Sequence, residues 1–221
     1  MAYEKLYNEI YAAVTLKYFW REYRPGFVKC ESPDWFNEST GFGLEVSQAL
    51  VPSDGITESF LEKYLGKLRE EIPEVELERY GGRLYFYNDR LWAVMPEEDL
   101  PCREKALYRF GKKLEKLNAN YRSEGENGLY LFLHDDRVTR EECAEWFREM
   151  RLRQVGCRRV FRRVFLDGEQ VLYVLDFVSG ALEVVPIPER ARIFLAAETE
   201  RLRQRGDWPE GQTVDEALEM A

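Results

Sequence analysis

Between residues 31 and 48 the chain reads ESPDWFNESTGFGLEVSQ, which sets Glu31, Asp34 and Glu45 on an extended segment, its turn and a returning strand. Two readings compete. In one, the acids decorate the wet face of an antiparallel hairpin; in the other, they are half of a metal site. Carboxylates converging from neighbouring strands repel, so a raised pKa, a basic partner or a divalent cation must compensate them. Hard oxygen donors favour Mg2+ or Mn2+ over zinc. Such an ion polarises a phosphoryl oxygen and lowers the pKa of a bound water. That chemistry needs neither histidine nor cysteine. Strand alternation puts Phe42, Leu44 and Val46 on one face and Gly43, Glu45 and Ser47 on the other, so small residues beside the acid leave room for an ion.

Other chemistries find less support. The four cysteines, Cys30, Cys102, Cys143 and Cys157, form no CxxC pair and are joined by one histidine, His134, which argues against a zinc site. Reduced thiols are expected. No GxSxG, GxGxxG or GxxxxGK[ST] motif occurs. An unrelated α+β enzyme would have to use His134 with Asp135 or Asp136. No apolar run is long enough to span a membrane and no secretory signal is visible, so a cytoplasmic protein without a membrane partner is expected.

The formal net charge is −9 but unevenly spread. Residues 1–100 carry 11 Lys+Arg against 19 Asp+Glu, whereas residues 103–166 carry 16 against 10. The densest basic run includes Arg158, Arg159, Arg162 and Arg163. It is either a charged edge strand or a contact to a phosphate backbone, which the arginine fork suits.

Periodicity supplies the elements that would position these groups. A helix is expected over 2–23, stopped by Arg24-Pro25-Gly26, followed by the acid-bearing hairpin. SDGITESFLEKYLGKLREEI reads as a second helix ended by Pro73, and RLYFYN and RLWAVM as a hairpin about Asn88-Asp89. A helix opens after Pro101, LYLFLH reads as a buried strand, and Thr139 caps the next helix through a Thr-x-x-Glu pattern. RRVFRRVFLDGEQVLYVLDFVSGALEVVPIP gives a three-strand meander, PERARIFLAAETERLRQRG a last helix, and the tail at most one frayed turn. An α/β fold follows, with one domain over 1–206 and a C-terminal tail over 207–221.

Glu31-Ser-Pro-Asp34, followed by Gly43-Leu44-Glu45-Val46-Ser47, resembles the PD-(D/E)XK nuclease superfamily. The resemblance covers residues 1–72. It implies a restriction-endonuclease-like core, a mixed central sheet flanked by helices, here extended by the C-terminal meander and helix. By that resemblance Asp34 matches the PD aspartate and Glu45 the acid of the (D/E)XK tripeptide. Val46 would ligate a metal through its carbonyl and Glu9 would be a helix-borne acid. The implied metal is Mg2+ or Mn2+, the implied partner nucleic acid, and the implied activity phosphodiester cleavage. The departure is Ser47, which stands where the family has lysine. Gln48 falls on the opposite strand face, so a relocated lysine is expected from Lys63, Lys67 or Lys29, with Lys63 completing the set of Asp34, Glu45 and Ser47. The alternative is a nuclease-like module that binds or assembles without cutting, for which Trp35 and Trp208 are read as exposed aromatics.

Overall fold

The computed structural model describes residues 2–95, 100–120, 125–133, 135, 137–204 and 212–219; His134, Asp136 and Trp208 lie outside them. The chain divides into two compact units, one of residues 1–49 and 106–221, the other of residues 50–105.

In the first unit, α1 (Ala2–Phe19) leads into β1 (Phe27–Lys29), β2 (Trp35–Asn37) and β3 (Phe42–Gln48). The helix ends earlier than its periodicity predicts. Its last backbone bonds run from Trp20 N–H to Leu16 O and from Tyr23 N–H to Trp20 O, before Gly26 turns the chain at φ 107°. The helix α4 (Cys102–Asn120) enters this unit at residue 106 and is followed by β6 (Asn127–Phe132), α5 (Arg140–Arg153), β7 (Phe161–Asp167), β8 (Val171–Asp176), β9 (Leu182–Pro186), α6 (Glu189–Gln204) and α7 (Val214–Glu219).

The seven strands form one sheet in the order β1-β2-β3-β6-β7-β8-β9, with β3, β6 and β7 mutually parallel and every other pair antiparallel. The fold is therefore α/β with a mixed central sheet flanked by helices, and the expected C-terminal meander is β7–β9. The parallel strands are apolar because both faces are covered. On one face, Ile10, Val14 and Leu16 of α1 and Leu195 and Leu202 of α6 pack with Phe42, Leu44, Val46, Tyr130 and Phe165. Toward α4, the Phe110 ring meets Phe161 with centroids 5.9 Å apart. Glu45 leaves the sheet on the α4 side, away from Leu44 and Val46, as alternation requires.

Residues 212–219 of the tail are part of this core. Val214 and Ala217 are buried in it, Val28 bridges Thr213, and the Asp215 carboxylate takes Lys17 at 2.7 Å and the Gly26 N–H at 3.0 Å. No helix among the described residues is long and apolar enough to cross a membrane.

The second unit holds α2 (Pro52–Tyr64), α3 (Glu74–Tyr80) and the antiparallel hairpin β4 (Leu84–Tyr87) and β5 (Arg90–Val94) around Phe60, Tyr64, Ile72, Tyr80 and Leu91. The single helix expected up to Ile72 stops at Tyr64. Gly66 adopts φ 77°, and the following backbone pairs with β5 instead: Gly66 N–H donates to Leu91 O and Leu91 N–H to Lys67 O, each at 2.9 Å. Apolar spacing alone could not register that competing partner. Pro73 caps the start of α3 rather than merely ending a helix. Asn88 and Asp89 both take positive φ, as a two-residue hairpin turn demands.

Candidate functional site

Asp34 and Glu45 come together because β2 and β3 are antiparallel with Trp35 opposite Leu44, which sets Asp34 opposite Glu45 one step further on. The Asp34 Oδ2 accepts the Val46 N–H at 2.7 Å. In a strand a residue's N–H and C=O leave on the same side, so the Val46 carbonyl also faces the Asp34 side. Gly43 is required here, since a Cβ at that position would lie 2.8 Å from the Pro33 ring and drive the Pro33–Asp34 segment away.

Glu9 of α1 is the third acid. The Trp35 indole N–H donates to the Glu9 backbone carbonyl at 2.8 Å, tying the helix to β2 beside Asp34. Glu9, Asp34 and Glu45 are only 3%, 2% and 2% exposed. Glu31, the other acid of the sequence stretch, is exposed.

Lysines surround the three acids. Lys29 Nζ lies 2.8 Å from Glu9 Oε2, and Lys5 Nζ 3.4 Å from Glu9 Oε1 and 3.9 Å from Asp34 Oδ1. From α4, Lys113 donates to Glu45 Oε1 at 2.5 Å and Lys116 to the same oxygen at 2.8 Å. Glu45 Oε2 is buried without a hydrogen-bond partner among the described residues, whereas Glu9 Oε1 keeps its ion pair with Lys5. Burial raises the Asp34 pKa above the usual carboxylate range, the Val46 N–H opposes that, and the neighbouring Glu9 adds to it. The Lys5 ammonium is held above its ordinary pKa chiefly by Glu9.

Asp34 therefore costs stability when ionised. A carboxyl whose folded pKa is raised contributes stability below its unfolded pKa and loses it as pH rises through the folded value. Asp34→Asn, which retains an acceptor for Val46 N–H, is expected to stabilise the protein at neutral pH by about 0.5–2 kcal/mol, the usual gain from relieving a strained site. The gain should shrink as pH is lowered toward 4. Melting temperatures of both proteins between pH 4 and 8 check this; a loss of stability at pH 7 would contradict it.

Sequence reasoning missed Lys113 and Lys116. Their signal was present: both flank the buried stripe Phe110, Leu114 and Leu117 on α4, one helical turn apart. Of the expected lysines, Lys29 joins the cluster through Glu9. Lys63 belongs to the second unit, its ammonium 4.8 Å from the Tyr64 ring centre, and Lys67 stands over the same ring. Ser47 is half-buried two residues beyond Glu45. Trp35, read from sequence as an exposed aromatic, is fully buried, because its strand packs beneath α1.

The arginine run is largely committed internally. Arg162 pairs with Glu126; Arg163 reaches Glu22 at 2.6 Å and Asp176 at 3.3 Å, and stands over the Trp20 ring. The Arg159 backbone is held at both its N–H and its carbonyl by the Asn118 side chain, and Arg158 is exposed.

Among the described residues no three His, Cys, Asp or Glu side chains are grouped so as to hold a metal ion. What fits a hard cation is the chemistry of the donors: the buried Glu45 Oε2 lacking a hydrogen bond, with Asp34 and the Val46 carbonyl facing the same side of β3. Comparison with family models, curated proteins and solved structures finds no match to this chain.

Proposed function

We propose that Asp34, Glu45 and Glu9 form the centre of a divalent-metal-dependent phosphodiesterase that acts on nucleic acid, with a restriction-endonuclease-like core as its scaffold. The observation that carries this reading is the burial of Glu9, Asp34 and Glu45, with Glu45 Oε2 left without a hydrogen-bond partner among the described residues. Uncompensated buried carboxylate oxygens are costly, and a site that retains them has a use for them. Asp34, Glu45 and the Val46 carbonyl would hold Mg2+ or Mn2+, with Glu9 as the helix-borne acid. A bound ion of this kind supplies Lewis-acid polarisation of a phosphoryl oxygen and a water of lowered pKa. The chain's own part is cationic. Lys113 and Lys116 hold one oxygen of Glu45, leaving the other for coordination, and their ammoniums can stabilise charge gathering on a phosphate.

A second reading has its own observation. Lys5, Lys29, Lys113 and Lys116 already offset the acids, and Ser47 occupies the family's lysine position, which suits a nuclease-like module that binds without cutting.

Isothermal titration of Mn2+ into chelator-treated wild type and Asp34→Ala/Glu45→Ala, with cleavage assays on single- and double-stranded DNA and RNA, separates them. Saturable binding and cleavage, both lost in the double variant, are expected. Retained cleavage in the variant would overturn the site. Absence of both metal binding and cleavage in wild type, with nucleic acid present, would favour the non-cutting module.

A further inference from the structure

A second concave site lies in the first unit where β6 and β7 end beneath α1 and α6, a cavity of about 390 Å3. Its volume falls within the roughly 300–1,000 Å3 typical of small-ligand sites. One wall is aromatic. Tyr7 and Tyr11 stack with ring centroids 6.2 Å apart and an interplanar angle of 28°, and Tyr11 meets Phe132 at 5.8 Å. Such a wall favours a flat π-system over an aliphatic ligand.

Another part of the lining is charged and sets one donor, Arg192, beside one acceptor, Glu169. Arg192 of α6 reaches Glu169 Oε2 at 3.3 Å through Nη1, while its Nε is buried without a hydrogen-bond partner among the described residues. Glu169 sits in the turn after β7 at φ 64°, a conformation that side-chain-bearing residues seldom adopt. The turn is held by Asp167, whose Oδ1 accepts the Glu169 N–H at 2.9 Å and whose Oδ2 accepts the Tyr130 hydroxyl at 2.6 Å. Asp167 is thereby occupied, and Glu169, paired with Arg192 and half-exposed, is the other carboxylate lining the cavity.

We infer that this cavity binds a guanine base, as guanosine or a guanine nucleotide, stacked on Tyr7 and Tyr11 and read along its edge by Arg192 and Glu169. Guanine offers two adjacent donors, N1–H and the N2 amine, which match the two oxygens of a carboxylate. Its O6 and N7 accept from an arginine, the commonest specific arginine–base contact. Adenine and cytosine each present a single exocyclic amine and no ring N–H beside it, so they leave one carboxylate oxygen unpaired. The Glu169 side chain is 53% exposed, so the selectivity requires that the bound base cover it and leave no room for water at an unpaired oxygen. The inference stands on this cavity alone and needs neither the metal nor the carboxylate cluster.

The test is calorimetric titration of guanosine, adenosine and cytidine into the intact protein in EDTA, so that no metal contributes. One-site guanosine binding is expected, at least tenfold tighter than adenosine or cytidine. Arg192→Gln and Glu169→Gln, both at partly exposed positions, are expected to weaken guanosine at least tenfold while circular dichroism and melting temperature stay near wild type. Asp34→Ala/Glu45→Ala should bind guanosine as wild type does, so failure of the metal site leaves this result intact. Absence of saturable guanosine binding to wild type, or affinity unchanged in both glutamine variants, would overturn the site. Adenosine binding as tightly as guanosine would overturn the assignment of guanine.

Discussion

Under the phosphodiesterase reading proposed above, Lys113→Ala is expected to lower metal-dependent cleavage by about 10²–10⁴-fold, the range over which a positioned acid–base or electrostatic group contributes. The ammonium lies 2.5 Å from Glu45 Oε1 and its side chain is 17% exposed, so water can replace it only poorly. Lys116 contacts the same oxygen at 2.8 Å but is 41% exposed, and its removal should cost less, about tenfold. The comparison to make is kcat and KM for the two alanine variants and for Lys63→Ala, against one oligonucleotide at saturating Mg2+. A Lys113→Ala enzyme that cuts at the wild-type rate, or a Lys63→Ala enzyme that does not cut, would return the lysine role to the position first expected from sequence. Lys113→Arg helps to separate chemistry from charge balance. It keeps the positive charge against Glu45, so the fold should persist, while a guanidinium neither fits the same point geometry nor exchanges a proton near neutral pH.

Trp35→Ala is expected to be the most destabilising single change near the site. Trp35 is fully buried, packs into the core shared by α1 and β3, and donates its indole N–H to the Glu9 carbonyl. Truncating a buried tryptophan costs about 3–5 kcal/mol. At about 2–4 °C per kcal/mol for a chain of this size, the melting transition should fall by roughly 6–20 °C. Trp35→Phe retains much of the apolar volume and loses only the indole donor, so its transition should lie between the two. Calorimetry of the three proteins decides it. A shift of only a degree or two for Trp35→Ala would mean that α1 is not anchored at this point. Because Asp34 immediately precedes Trp35 and Glu9 hangs from the same hydrogen bond, the loss of the ring should also disturb both carboxylates. Mn2+ affinity should fall in parallel with stability.

These two residues mark where local pattern stops being informative. Trp35 looks exposed in a short polar stretch, next to a proline and an acid, because three-residue strands are too brief for alternation to show which face is covered. Its burial follows from α1 crossing over β2, a contact 26 residues away in sequence. Lys113 and Lys116 look like ordinary surface lysines of an amphipathic helix. They become site residues only because β3 and β6 pair in parallel, which brings the helix between those strands over Glu45, 68 and 71 residues from its partners.

By itself the sequence determined the alternation that separates Glu45 from Leu44 and Val46, the hairpin joining Asp34 to it, the capped helix at Thr139 and the C-terminal meander. All of these rest on interactions between residues close along the chain, where periodicity and turn chemistry act directly. Only the tertiary structure decided the rest: the end of α2 at Tyr64, where Gly66 releases the backbone to pair with β5; the packing of α7 into the core; the commitment of Arg162 and Arg163 to internal acids; and the four lysines gathered around Glu9, Asp34 and Glu45. Each depends on which distant surface a residue meets, and that is fixed by strand order and helix crossing rather than by the spacing of neighbours.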